Sequence, residues 1–363
     1  MNIKRRYEFR IYPNKQQLEQ IWVNIHCARA IYNLMLADKI SYYQEHKKTL
    51  HNTPAQYKND NPWLKDADSL ALANAQLNLQ TAFKNFFTQP SVGFPKFKSR
   101  NKAKWAYTTN LINNNIKLSD DHLTLPKVGA VRIKLHHPLV GKMKSVTVTV
   151  KRSMKVYVSI LVEREIDTPS IESQRVLGLD YSSPCLYIDS DGNEPDYPRF
   201  YRKAEAKLAK EQRKLSHMEH GSRNYEKQRI KVARIHEHIA NQRKDFLHKL
   251  SRELADNYDV IGIEDLNMRA MSQGLKLGKS TMDNSFGLFV RLLKYKLEDW
   301  GKQLIVIDKW YPSTKTCSHC GNVKPMKLSD DTYVCPICGL IMARDWNAAI
   351  NIREEAKRML GIA

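Results

Sequence analysis

At 363 residues the chain is long for a single compact domain, and its 42% hydrophobic share is that of a globular protein rather than a disordered one. Lys and Arg number 59 against 38 Asp and Glu, a formal net charge of +21 that points to polyanionic partners, chiefly nucleic acid. No apolar run approaches the roughly 18 residues that span a bilayer, and the opening "MNIKRRYEFRIYP" lacks the apolar core of a signal peptide, so the sequence reads as cytoplasmic.

In chain order, "YEFRIYP" alternates like a strand and stops at Pro13. A helical pattern follows from Gln16 to about Gln89, with turn signals near "NTPAQYKNDNPW". The segment "VGFPKFKSRNKAKW" interleaves Phe94, Phe97 and Trp105 with Lys96, Lys98 and Arg100, a composition suited to base stacking or, alternatively, to local packing. From Ile116 to Val162 short alternating stretches predict a small barrel or sandwich, which the first strand can join. A break at "DTPSIESQ" precedes a second architecture. There, "VLGLDYSS" reads as an apolar strand ending at Asp180, with Asp191-Gly192 marking a following hairpin turn. Residues 199–249 predict a basic helical hairpin broken at Gly221-Ser222 and carrying only a narrow apolar stripe. His217, His220, His236 and His238 on it face solvent or phosphate rather than a metal. "YDVIGIEDLN" is a strand ending at Glu264, residues 271–283 form a polar loop suited to a lid, and Phe286, Phe289, Leu293, Leu297 and Trp300 recur at helical spacing after a cap at Asn284 or Ser285. "QLIVID" predicts one more buried strand, giving a mixed sheet covered by helices.

Four of the six cysteines follow the pattern Cys317-x2-Cys320-x14-Cys335-x2-Cys338, with glycine after each pair. Two such turns close a tetrahedral thiolate site that suits structural zinc and leaves no open position for catalysis; a redox pair or an iron–sulfur centre would not need both glycines. Cys27 and Cys185 stand alone and read as small buried hydrophobes.

Asp180, Glu264 and Asp345 each have a plain explanation at a strand end or, for Asp345, as the cap of a final helix with an apolar face of Ala349, Ile352, Ala356 and Met359. Together they carry acids to corresponding ends of buried strands, where clustered carboxylates can hold two magnesium ions for phosphodiester hydrolysis. No phosphate-binding glycine loop, zinc-protease motif or nucleophile elbow competes with that reading.

The blocks "RIYPNKQQ", "GFPKFKSR", "LPKVGAVRIK", "GLDYSS", "NQRKDFLHKLS", "IEDLNM", "PSTKTCSHCG" and "RDWNAAINI", in this order over nearly the whole chain, resemble TnpB, the insertion-sequence family of RNA-guided nucleases regarded as ancestral to type V CRISPR effectors. The resemblance implies a multidomain α/β plus β-barrel fold. Its parts would be a wedge β-barrel (residues 1–15 and 104–172) carrying an inserted helical recognition domain (16–103), and an RNase H-like (RuvC) nuclease (173–316 and 339–363) with an inserted zinc ribbon (317–338). Matched motif to motif, the family's catalytic, magnesium-binding trio falls on Asp180, Glu264 and Asp345, and its zinc ligands fall on Cys317, Cys320, Cys335 and Cys338. The implied partners are a transposon-derived guide RNA and double-stranded target DNA carrying a short adjacent motif. Many members have Asp-Arg-Asp where this chain has Ala343-Arg344-Asp345, and Tyr181 replaces a smaller residue in "GLDYSS". The rival readings are an RNA-guided DNA-binding regulator without cleavage and a transposase acting directly on element ends.

Overall fold

A computed structural model of the chain describes residues 2–166, 175–274, 278, 283–327 and 329–361. The chain divides into two compact units, Met1–Ile166 and Asp167–Ala363. The break expected at "DTPSIESQ" and most of the lid expected at 271–283 lie outside the described residues. Among the described residues no helix is long and apolar enough to cross a membrane.

The first unit opens with β1 (Asn2–Tyr12), whose alternation buries Ile3, Phe9 and Ile11 and turns Lys4, Arg6 and Glu8 outward. Asn14 then starts α1 (Lys15–His46) through a reciprocal cap: its side chain accepts from the Gln17 N–H at 2.8 Å, and the Gln17 side chain accepts from the Asn14 N–H at 3.0 Å. Two short 3-10 turns lead to α2 (Ser69–Thr88). Six strands follow: β2 (Ala106–Asn110), β3 (Lys117–Leu118), β4 (His122–Leu125), β5 (Gly129–Lys134), β6 (Lys142–Val150) and β7 (Val156–Glu165). The sheet order β2-β6-β7-β1-β5-β4-β3 places the first strand in the middle, antiparallel to β7 and β5, with the helices inserted between β1 and β2. The expected barrel is an open half-barrel, because the edge strands β2 and β3 do not pair with each other.

The second unit begins with β8 (Val176–Ser182) and β9 (Leu186–Asp189), joined at Ser183–Cys185. The hairpin turn therefore lies before Asp191-Gly192, which instead closes a turn after β9, with the Gly192 N–H donating to the Asp189 carbonyl at 3.0 Å. The basic hairpin is α3 (Phe200–Ser216) and α4 (Arg223–Asn257); His217, His220, His236 and His238 are exposed, while His248 on α4 is half-buried. Then come β10 (Val260–Glu264), α5 (Met268–Gly274), α6 (Phe286–Asp299), β11 (Gln303–Ile307), the hairpin β12 (Thr332–Val334) and β13 (Ile341–Ala343), and α7 (Arg344–Leu360). Ser285 precedes α6 in the left-handed region without a side-chain cap, while the Asn284 side chain accepts from the Phe286 N–H at 3.4 Å. The sheet order is β11-β10-β8-β9, parallel except for β9. As an edge strand with β10 for its one partner, β11 is less buried than expected, and Val306 is 46% exposed. Trp300 and Met359, expected on buried helix faces, are half exposed because each stands at or near the end of its helix.

Alternation splits this sheet cleanly. Leu177, Leu179, Ile261 and Ile263 pack into one core with Leu247 and Leu254 of α4 and Phe289, Leu293 and Leu297 of α6. Gly178 and Gly262, paired in register, face the other way and lie under α7. A Cβ on Gly178 would stand 2.1 Å from the Ala349 carbonyl oxygen, and one on Gly262 would stand 2.9 Å from the Ala356 Cβ. Gly178→Ala is therefore expected to lower unfolding stability by about 1–3 kcal/mol or more through forced displacement of α7. Gly287→Ala, where nothing lies within 4 Å of the added Cβ, is the control expected to be neutral. Equal urea midpoints for both variants would contradict this packing.

Candidate active site and metal centre

The register that pairs Gly262 with Gly178 and Ile263 with Leu179 carries one step further to set Glu264 beside Asp180 on the face covered by α7. Both acids lie about 6.6 Å along their strands from the glycines, and Asp345 lies about 6 Å, one helical turn, back along α7 from Ala349. The three carboxylates thus converge at the C-terminal ends of two parallel strands. Asp345 does not cap α7: it stands in the first turn after Ala343, which makes no side-chain cap. Arg344 grips it instead, with guanidinium nitrogens 2.7 and 2.8 Å from Oδ1, while donating to the Asp330 carbonyl at 2.9 Å. Trp346 anchors the same turn, its indole N–H donating to the Ser190 carbonyl at 3.2 Å.

Electrostatics here run against ionisation. Asp180 is 6% exposed; burial first, then the Glu264 and Asp345 charges, push its carboxyl well above the ordinary aspartate range, with Arg344 opposing. Burial likewise raises Glu264, offset by the Ser313 hydroxyl that donates to Oε1. An all-oxygen, like-charged and partly buried donor set is the kind a hard divalent cation satisfies. The acids repel one another without being gathered round one point. Among the described residues, the four cysteines are the one set of His, Cys, Asp or Glu side chains close enough together to hold a single ion.

Those four sulfurs, of Cys317, Cys320, Cys335 and Cys338, lie within 4.8 Å of one another, with 3.6 Å between Cys317 and Cys338 and between Cys320 and Cys335. A tetrahedron of zinc–sulfur bonds has edges of about 3.8 Å, so the cluster fits structural zinc. Gly321 and Gly339 take left-handed φ of 74° and 73° and return their N–H groups to the Cys317 and Cys335 carbonyls at 2.9 and 3.1 Å, closing each knuckle. Backbone N–H groups of Cys338 and Ile337 point at the Cys335 sulfur and favour its thiolate form.

Cluster and carboxylates share one clamp. Asn347 and Asn351, buried on α7, both donate to the Thr316 carbonyl at 2.7 Å; Asn351 also donates to the Ser313 carbonyl at 2.7 Å, and Asn347 accepts from the Ser318 N–H at 3.0 Å. Sequence reasoning passed over Ser313, Asn347, Asn351 and the glycine pair. The signal for the pair was present as the repeated spacing Gly-x-Asp at 178–180 and Gly-x-Glu at 262–264. The asparagines gave none, since their partners are backbone groups.

In the first unit, a depression of about 620 Å³ on the outer sheet face is rimmed by Arg6, Lys104, Lys151 and Arg152, with the Arg152 guanidinium 3.7 Å from the Trp105 ring and the Lys151 ammonium 3.7 Å from Tyr157. Trp105 is thus packed, also edge-on to Trp22 at 5.1 Å, whereas Phe97 stays 56% exposed.

Because Asp180 keeps its proton to higher pH in the folded chain than at the ordinary 3.8 of the unfolded one, the folded state binds more protons across that window. Stability without divalent metal therefore falls as pH rises through the window and stays lowered at neutral pH. Asp180→Asn is expected to melt above the wild type at neutral pH, with the gain fading below pH 3.8. Identical melting at neutral pH would contradict the assigned repulsion.

Three family models match segments of the chain. A family model described as "Probable transposase" matches residues 159–274 and one described as "Cas12f1-like, TNB domain" matches 286–352. A third, described as "Helix-turn-helix domain", matches 1–48, where this chain has one strand and one uninterrupted helix of 32 residues. A "Putative RNA-guided DNA endonuclease" of Streptomyces pristinaespiralis is 33% identical over 96% of this chain and 89% of its own length. Its namesake InsQ of Escherichia coli K12 is 30% identical over 98% and 92%. A solved structure titled "Cryo-EM structure of the Cas12f1-sgRNA-target DNA complex" shares the fold, with a TM-score of 0.57 at 10% identity over 97% of this chain and 99% of that one. With identity of this extent over nearly the full length, the chain belongs to the TnpB/OrfB_IS605 family, related to Cas12f.

Proposed function

We propose that the chain is an RNA-guided DNA endonuclease. It would bind a transposon-derived guide RNA and cleave double-stranded target DNA next to a short adjacent motif by magnesium-dependent hydrolysis. The observation that carries this reading is the convergence of Asp180, Glu264 and Asp345, two of them side by side on parallel strands and one on the helix that covers them. On this reading the second unit is the RNase H-like (RuvC) nuclease over 173–316 and 339–363 with a zinc ribbon at 317–338. The first is a wedge over 1–15 and 104–172 bearing a recognition insertion at 16–103. The names carried by relatives, RNA-guided DNA endonuclease among them, support the activity.

The three carboxylates would hold magnesium, which when bound supplies positive charge to the reacting phosphate and acidifies a water. Asp180 and Glu264 form a fixed floor because their strands cannot shift register without moving α7. Ser313 orients Glu264 by hydrogen bonding to one oxygen, leaving the other to accept. Arg344 holds Asp345 in place and offsets part of the acid repulsion. The excess of 21 positive charges supplies the field for RNA and DNA, and the basic depression of the first unit offers one place to exert it. Sequence specificity would come from base pairing with the guide, the protein reading backbone shape and a short duplex motif.

Asp180→Ala, Glu264→Ala and Asp345→Ala are each expected to abolish cutting of a matched plasmid in magnesium while leaving RNA copurification intact. Cutting at the wild-type rate by any of the three would overturn the site assignment, and strand joining of element ends in place of cutting would favour a transposase.

A further inference from the structure

Trp310 is the most exposed large hydrophobic side chain among the described residues, at 79%. An indole held in water on a rigid turn presents a broad apolar plane on which a flat ring can stack. The turn is fixed at both ends. At one end, β11 lies beside β10 with Ile307 opposite Glu264. The Asp308 side chain then accepts from the Trp310 N–H at 2.7 Å, and the Asp308 carbonyl accepts from the Tyr311 N–H at 3.0 Å. At the other end, Ser313 bonds to Glu264 through its hydroxyl and to the Tyr311 carbonyl through its N–H at 2.9 Å. Three residues of chain cover at most about 10 Å, so the Trp310 Cα stands within about that distance of the Cα of Ser313, whose side chain touches the carboxylate. The Lys309 ammonium lies 4.7 Å over its ring.

We propose that Trp310 and Lys309 form a stacking and phosphate-contact platform that seats one unpaired nucleotide of the DNA strand as it enters the carboxylate site. A base in a duplex is stacked on its neighbours, so an exposed indole selects a single strand. Base–aromatic stacking tolerates any base, as a guided enzyme requires. The lysine supplies the charge for the adjoining phosphate. Trp310 is thus a positioning residue that acts on the substrate strand and takes no part in bond making. This rests on the nuclease reading, and the test separates the two.

The protein with its copurifying RNA is titrated with single-stranded DNA matched to the guide while tryptophan emission is followed. The Trp310 contribution is read as the difference between the wild type and Trp310→Phe. Quenching of that contribution is expected. In cleavage, Trp310→Ala is expected to raise the DNA concentration for half-maximal rate by roughly 5- to 150-fold, with a smaller change at saturation and recovery in Trp310→Phe. An abasic nucleotide placed at the seated position should slow the wild type and leave Trp310→Ala no slower. No quenching, quenching by a matched RNA strand instead of DNA, or equal half-maximal concentrations for wild type and Trp310→Ala would overturn the inference. Quenching without any cutting by the wild type would leave the platform standing and overturn the nuclease reading.

Discussion

Two glycines facing each other across a parallel strand pair set the geometry of the proposed site. Gly178 and Gly262 let α7 lie on the backbone of β8 and β10 with no side chain between. That close approach fixes both the height of the helix and its offset along the strands. Its first turn, with Asp345, therefore arrives where Asp180 and Glu264 stand. A larger residue at either glycine would move the third acid away from the other two, whatever the chemistry of the acids themselves.

The cost of such a site is electrostatic. Burial and the neighbouring charges of Glu264 and Asp345 raise the affinity of Asp180 for its proton, and Arg344 answers with an opposing charge. The surrounding structure absorbs this cost through contacts that do no chemistry. The α4 and α6 helices bury the far face of the sheet, Trp346 pins the start of α7, and the asparagine clamp ties α7 to the loop that leads into the cysteine cluster. The zinc-type cluster is closed, and its value to the site is mechanical: it stiffens the segment between Ser313, which orients Glu264, and Arg344, which holds Asp345.

Much of this was legible in the sequence because it depends on spacing. The Cys-x2-Cys pairs with their glycines, the acids at the ends of apolar runs and the basic helical hairpin all follow from local pattern. What was not legible depends on which strands meet. Whether the first sheet closes is decided by the pairing of β2 and β3, and periodicity carries no information on that. "QLIVID" reads as buried because it is apolar, yet β11 lies at an edge with one neighbour. Ser313, Asn347 and Asn351 act through partners that are adjacent only after α7 has docked. The matched helix-turn-helix description likewise names a local class, while Asn14 and Gln17 start a helix that runs unbroken to His46.

The central claim is that the cysteine cluster and the carboxylates are one mechanical unit joined through α7. Amide hydrogen exchange across residues 345–351, compared between the wild type and Cys335→Ser, tests it most directly. The account predicts faster exchange in these first turns of α7 with protection in β8 and β10 retained. Unchanged protection of α7 in a variant whose ribbon has opened would contradict it.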